Sequence, residues 1–457
     1  MRKCLCVVSL VLILMVSTSA LAAVPQPETA ADAPALTRGE FAAMLVKAAE
    51  LEGDGEPSEI LVQHGIMKGV PGKGDDSLRP ISRVEAAALV ARTLGLADAT
   101  FPPDNTDIPL LPDHWAYNAY AWLARLGIVS GDPFAVLSEE EGTSLVENTF
   151  QTTEDVIAIL QKSQAQLQAK ETTSFRTVMD GQIRITPRPG VEGADQIPSI
   201  APKLHLVQEM ILPNKIHQVM TIQMTLPEMG AQEMVTESYI VDGTMYQKLP
   251  DPETGELSWV KYPQAMLPDM QQLMEQAQQQ TQIIPPGMEK SLFYKLLGTK
   301  EIDGEQVYEI ACYGKIDDIN EFLSAAMSNF GDSELLGEAM GAASSMIDNL
   351  SFWGVTYVGV DDYLTRQANY GASVTYAKEF QDEAIPLEKI EMLLTIKEYT
   401  YDENIDITLP EEVLSAPELE LPELEPESEL PEESTEELAE DEAPQDEVPE
   451  GNASENE

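Results

Sequence analysis

Two arginines mark the chemistry this chain is equipped to attempt. Arg38 stands in Thr37-Arg38-Gly39-Glu40 and Arg83 in Ser82-Arg83-Val84-Glu85, an offset of 45 residues. The Ser/Thr-x-x-Glu pattern is a capping box: the hydroxyl accepts from a first-turn amide, and the carboxylate reaches back to the cap's own amide. Apolar residues follow at helical spacing, Phe41, Met44, Leu45 and Ala48 in one copy, Ala86, Leu89, Val90 and Leu94 in the other. An arginine in the first turn sits at the positive end of the helix dipole, which disfavours a cation. An anion held jointly by the guanidinium and the free helix amides would reverse that penalty. The simpler reading, two ordinary capped amphipathic helices, accounts for the hydroxyls and glutamates without any ligand.

Other chemistry is thinly represented. The four histidines are His64, His114, His205 and His217, with no His-x-x-x-His and no Cys-x-x-Cys spacing, so the usual metal-ligand spacings are missing. There is no Gly-x-Ser-x-Gly and no phosphate loop. Carboxylate pairs are abundant, but among 79 acidic residues they carry little information. No catalytic residue, metal site or cofactor is assigned, and the chain reads as a non-enzyme. A hydrolase with acids distant in sequence is the weaker alternative.

The elements that position the arginines recur. Gly65-Ile66-Met67-Lys68-Gly69 precedes the second capped helix, and Gly127-Ile128-Val129-Ser130-Gly131 follows later. Each glycine pair can end a helix and turn the chain. Before the later copy come Asp107-Ile108-Pro109, Asp113-His114-Trp115-Ala116 and a helical stretch from Tyr117 to Leu126. Together these resemble S-layer homology modules over residues 35–150. In that family the order is Asp-Val-Pro, His-Trp-Ala, a helix, Gly-Ile-x-x-Gly, a loop, and Thr-Arg-Ala-Glu opening a second helix.

The resemblance implies all-α modules that attach noncovalently to a secondary cell-wall polymer, often pyruvylated. It implies a polymer-binding set of Arg38, Arg83, Asp107, Trp115, Gly69 and Gly131. The alternative for Trp115 is plain core packing. This chain departs from the pattern in three places. The first module has only its last helix, and the second lacks His-Trp-Ala. The third carries the extra Leu110-Leu111 and opens its final helix with Leu137-Ser138-Glu139-Glu140-Glu141, without an arginine. At most two intact pockets are expected.

Composition bounds the rest. The chain has 457 residues, 27 basic against 79 acidic, and a net charge of −52. That excludes a nucleic-acid partner, because phosphate backbones are held by clustered Lys and Arg. It also disfavours docking on an anionic membrane surface. Arg2 and Lys3 precede an apolar run from Leu5 to Val16 and then Ala20-Leu21-Ala22, which reads as a cleaved signal over 1–22. An uncleaved anchor is the alternative, but the run is shorter than the roughly 20 residues a bilayer needs. The mature chain would keep one cysteine, Cys312, and so no internal disulfide. The expectation is an exported protein at the cell wall or surface of a Gram-positive-type bacterium, not an integral membrane protein after cleavage.

The middle region has a different period. Thr152-Thr153-Glu154-Asp155 caps a helix bearing Val156, Leu160 and Leu167. Beyond it Met220, Ile222 and Met224 alternate with Thr221, Gln223 and Thr225, a strand with one buried face. Asp242-Gly243 and Asp303-Gly304 signal hairpins. Further strands are expected at 259–262, 354–360, 363–370 and 390–401, with helical inserts at 268–280, 316–329 and 334–350.

This α+β order resembles the LolA-like lipoprotein-carrier fold, a curved antiparallel sheet covered by helices, over residues 154–415. The resemblance rests on Glu154 to Lys170, Glu237 to Tyr246 with Trp259-Val260-Lys261, and the close at Ile407 to Val413. It implies a groove for lipid, lipoprotein or another apolar partner. The 19 methionines suit such a groove, being flexible and polarizable, and suit core filling equally. From 416 the chain reads as a disordered tail. Glu418 onward holds 18 acidic residues, no basic ones, and Pro422, Pro426, Pro431, Pro444 and Pro449.

Two functions follow. In one, a noncatalytic envelope protein binds wall polymer through residues 35–150 and an apolar ligand through 154–415. In the other, a structural surface-layer-associated protein uses the second region as a ligand-free spacer.

Overall fold

The computed structural model describes residues 35–67, 76–97, 99, 108–168, 174–194, 201–212, 214–226, 230–250, 255–262, 284, 288, 290–319, 345–380, 383–401 and 404–419. The expected signal over 1–22, Gly69, Asp107 and most of the acidic tail lie outside them, as do the expected helical insert at 268–280 and most of the other two.

Five helices come first: α1 Arg38–Ala48, α2 Pro57–Gln63, α3 Arg83–Thr93, α4 Tyr117–Arg125 and α5 Glu139–Thr149. The two expected capping boxes are present at Thr37/Glu40 and Ser82/Glu85, and a third stands at Ser138/Glu141. The residues just before the three caps close a ring of backbone hydrogen bonds. Ile81 N donates to Leu36 O at 2.9 Å, Leu137 N to Ile81 O at 3.0 Å, and Leu36 N to Leu137 O at 2.8 Å. Their side chains are buried together. Three similar helix starts therefore converge on one point, and buried amides that would otherwise cost about 1–3 kcal/mol each find partners there.

α6 Glu154–Gln168 follows, and then an antiparallel sheet. Its strands are β1 Ser174–Pro187, β2 Lys203–Ile211, β3 Lys215–Leu226, β4 Gly230–Val241, β5 Thr244–Pro250, β6 Leu257–Lys261, β7 Phe293–Ile302, β8 Glu305–Ile316, β9 Ile347–Gly359 and β10 Thr365–Tyr376. After a small hairpin, β11 Glu379–Phe380 with β12 Glu383–Ala384, comes β13 Leu387–Tyr401, and α7 Glu411–Leu414 closes the described chain. Eleven strands form one sheet in the order β6-β5-β4-β3-β2-β1-β13-β10-β9-β8-β7.

The expected hairpins are two-residue turns. Asp242 and Gly243 have φ of +50° and +77°, and Asp303 and Gly304 have +53° and +87°. Both central positions need left-handed backbone, and Asp-Gly supplies it at least cost. The insert expected at 334–350 differs: Ile347 to Leu350 belong to β9, which then runs buried to Gly359. Likewise Ile316 ends β8, and Tyr363 lies in the turn before β10 at φ +58°. These are element ends of one to four residues, too short for a period of two to be told from one of 3.6.

Both faces of the β7–β9 end are covered. On one, α6 places Val156 and Leu160 against Tyr294, Ile310 and Phe352. On the other, the helical bundle shares a core with Phe293, Val307, Ala311, Tyr313, Trp353 and Tyr357. Tyr313 is fully buried and its hydroxyl donates to Thr149 O at 2.8 Å. Arg125 of α4 pairs with Glu309 of β8, and Lys300 Nζ lies 3.7 Å from that same carboxylate. Helices and sheet are thus one packed body over residues 35–418.

Lys295, on the bundle side of β7, donates from Nζ to Asn148 O at 2.9 Å, and burial pulls its pKa down to about 8. The folded form therefore resists the charge, and the unfolded chain binds the extra proton below about pH 10. The penalty is full at neutral pH and fades as pH rises through 8 toward 10. Stability should gain about 2 kcal/mol from this group between pH 7 and 9.5. Urea unfolding across that range should show a gain that Lys295→Met lacks; parallel pH profiles for the two proteins would reject it.

Candidate functional site

The first-turn arginines are engaged by the protein itself. Arg38 Nη1 donates to Asp76 Oδ2 at 3.1 Å. Arg83 Nη2 donates to Glu141 Oε1 and its Nη1 to Asp132 O, both at 2.7 Å. The first-turn amides are not free either. Arg38 N and Gly39 N donate to Arg79 O and Ser77 O, and Arg83 N and Val84 N to Ala135 O and Pro133 O. The loop that precedes each next cap thus folds over the helix start before it. Internal carboxylates offset the dipole penalty that suggested an external anion.

Glu141 also serves a cap. Burial works to raise Glu141, but hydrogen bonds from the Ser138 backbone and hydroxyl and from Arg83 outweigh it and hold its pKa low. Glu85 has the same balance, with Arg79 and Ser82 outweighing burial. Gly131 takes φ +82°, and a Cβ there would sit 3.4 Å from Arg83 Nη1. Its carbonyl accepts from Tyr120 OH at 2.9 Å. Arg83 and Gly131 are therefore neighbours.

Trp115 is 61% exposed, so it is no core residue. Its ring lies 5.6 Å from His114 and 5.7 Å from the Arg92 guanidinium carbon. Phe134, also exposed, meets His114 edge-on at 5.9 Å. Exposed rings beside a cation can stack on the apolar face of a flat ligand. Nothing in the sequence marked Phe134, although it sits in the loop that returns to the third cap.

The sheet has two chemically different faces. In an antiparallel ladder, directly opposed residues share a face. Following the register from β4 to β10, Met234, Ile222, Leu204 and Gly181 continue into Leu394 and Tyr370. The next row runs through Met220, Leu206, Met179 and Ile396. Over β1–β4 these two rows are half-buried or exposed, and a polar row, Thr177, Gln208, Gln218 and Ser238, borders them on the same face. The described segments packed on it, α6 and residues 288–292, lie at the β7–β9 end.

The reverse face over the same strands carries one valine row, Val178, Val207 and Val219, between polar clusters. His205 Nδ1 lies 2.8 Å from Asp180 Oδ1. His217 stacks on Tyr239 at 4.4 Å and sits between Glu209 at 3.3 Å and Glu237 at 3.1 Å. Burial, and then Glu237, push Tyr239 up to about 12. The chain returns across this cluster, with Ile407 and Val413 packed on Tyr239 and Trp259. A concavity of about 610 Å³ over Lys203, Gln223 and Glu233 is open and mixed in polarity. Its Gln223–Glu233 hydrogen bond leaves little to hold an apolar ligand, so the apolar rows over β1–β4 are the stronger candidate.

Among the described residues no group of three or more His, Cys, Asp or Glu is placed to hold a metal ion. Cys312 is a free thiol, and burial pushes it up to about 12, which makes it inert. No described helix is long and apolar enough to cross a membrane.

In sequence, residues 154–418 match a family of unknown function, DUF6612. The chain belongs to the DUF6612 family. The DUF6612 region takes in α6, the whole sheet and α7, so the apolar face lies wholly within it. Solved structures similar to it include the lipoprotein LppX of Mycobacterium tuberculosis, at 10% identity over 55% of this chain and 97% of that one, TM-score 0.22. LprF of Mycobacterium bovis is similar at 12% identity over 56% and 95%, TM-score 0.27. A putative outer membrane lipoprotein-sorting protein domain of Vibrio parahaemolyticus is similar at 9% over 55% and 94%, TM-score 0.20. No curated protein matches the chain.

Proposed function

We propose that this DUF6612 protein is a noncatalytic, exported envelope protein whose sheet holds an apolar ligand. The ligand class is a lipid, the acyl part of a lipoprotein, or another apolar partner, as the LolA-like resemblance of residues 154–415 implies. One observation carries the reading: two adjacent apolar rows cross the sheet from β4 through β1 to β13, half-open over β1–β4, and the described helices pack only on the β7–β9 end of that face. Apolar side chains left half-open over several strands forgo about 25 cal/mol for every Å² not removed from water. A ligand recovers that. Native mass spectrometry of the full chain, gently extracted from its own cells, should show a bound apolar molecule that organic solvent removes. A ligand-free mass in every gentle preparation would sink the reading and favour the spacer role.

A second role is favoured by the exposed ring cluster at Trp115. The helical part, read as S-layer homology-type modules, attaches the protein to a secondary cell-wall polymer of a Gram-positive-type wall. The full chain should cosediment with isolated walls, less so once the polymer is stripped. Trp115→Ala should weaken that binding at least about fivefold, the scale of one stacking contact. Arg38→Ala with Arg83→Ala separates the two arginine readings. Weaker binding at an unchanged melting temperature supports direct contact, whereas a lower melting temperature with binding retained assigns both to the caps.

A further inference from the structure

The apolar face changes character along the strands. Where β1 and β10 begin and β9 and β13 finish, it is aromatic. Phe175 and Tyr401 have centroids 6.2 Å apart, and Tyr399 stacks with Tyr401 at 6.1 Å and 9°. At the same end of the face, with β10 and β9 between, Tyr308 of β8 meets Tyr363 of the β9–β10 turn at 6.1 Å. At the opposite end of the same face stand Ile185, Leu204, Ile222 and Ile390, all aliphatic. From Thr177 to Ile185 the strand runs about 26 Å at ~3.3 Å per residue, room for one extended long alkyl chain.

One cation stands at the aromatic end. Lys162, exposed on α6, donates from Nζ to Tyr363 OH at 3.3 Å and lies 5.0 Å above that ring's centroid. Among the described residues it has no carboxylate partner. Two nearby acids are already used: Arg366 holds Asp362 at 2.7 Å and Glu305 at 2.6 Å. Asp361 lies on the same turn. In a chain of net charge −52, a lysine resting on a ring is a place where an anion can bind without displacing a carboxylate.

We propose that this aromatic end, with Lys162 at its rim, receives the anionic head group of an amphiphile whose alkyl chain lies along the aliphatic end. The proposal rests on the apolar-ligand reading above and adds the ligand's charge and its direction on the sheet. The shared chemistry is one negative group on a long chain, and a fatty-acid carboxylate or a lipid phosphate supplies it.

The test is calorimetric titration of the full chain, below micelle formation, with palmitate, 1-palmitoyl lysophosphatidic acid and uncharged hexadecanol. At least one anion should bind about fivefold or more tighter than hexadecanol, the scale of one favourable charge contact. Which anion gains identifies the carboxylate or the phosphate as the source. Lys162→Gln should erase the advantage while leaving hexadecanol unchanged, and Lys162→Arg should restore it. Equal affinity for all three probes, or an equal loss for all three in Lys162→Gln, would overturn the proposal and leave the apolar-ligand reading standing. Failure of every probe to bind would overturn both.

Discussion

Tyr313→Ala is expected to lower stability by about 3–5 kcal/mol, the range for removing a large buried aromatic side chain. Tyr313 is fully buried, packs at 5.9 Å from Phe293, and bonds to Thr149 at the end of α5. The loss should not be confined to the sheet. Because the bundle and β7–β9 share one core, far-ultraviolet circular dichroism and tryptophan fluorescence should report a single transition, shifted together. Tyr313→Phe keeps the ring and strands the Thr149 carbonyl, and should cost about 1–3 kcal/mol. If the helical signal of Tyr313→Ala keeps its original urea midpoint while the sheet signal moves, the common core is wrong.

Arg125→Ala should cost about 3–5 kcal/mol, because it leaves Glu309 partly buried with only Lys300 at 3.7 Å. The side chains of Arg125 and Glu309 are 9% and 15% exposed, well away from the regime where an ion pair is worth little. Replacing both partners, Arg125→Met with Glu309→Leu, should restore most of the loss, since a buried pair often breaks even against apolar groups of similar size. Thermal unfolding of the two single variants and the double variant gives the coupling. A single variant losing under about 1 kcal/mol would mean that the pair is solvated.

Much of this architecture is legible where a local rule leaves one outcome. The capping boxes at Thr37 and Ser82, and the Asp-Gly turns at 242–243 and 303–304, needed no distant partner to be read. β1 carried a readable alternation, with Thr177, Met179 and Ile183 on one side and Arg176, Asp180 and Arg184 on the other. Its register against β13, some 200 residues later, was beyond any local rule. β9 was legible only in its second half, where a strand was expected at 354–360; its start, Ile347 to Trp353, was not read as strand. Pairings among charges were illegible for a statistical reason. With 79 carboxylates available, nothing singles out Asp76 for Arg38, Glu141 for Arg83 or Glu309 for Arg125. The anion expected at the first-turn arginines is met in the fold by those carboxylates.

The strand order carries a kinetic consequence. Neighbours in the sheet are neighbours along the chain except at the seam between β1 and β13 and at β10–β13, where only the small β11–β12 hairpin intervenes. Each half can zip up locally as a meander in the time of hairpin formation, and the seam must wait for a chain closure across the whole region. Until it closes, two half-sheets each show an apolar side and an unpaired edge to whatever surrounds the newly made chain. Refolding should therefore have a late phase slowed by changes at the seam, such as Gly181→Val against Leu394, where a Cβ would already approach within 2.9 Å. A molecule settling on the apolar side during that interval would act as a template for assembly as well as a passenger.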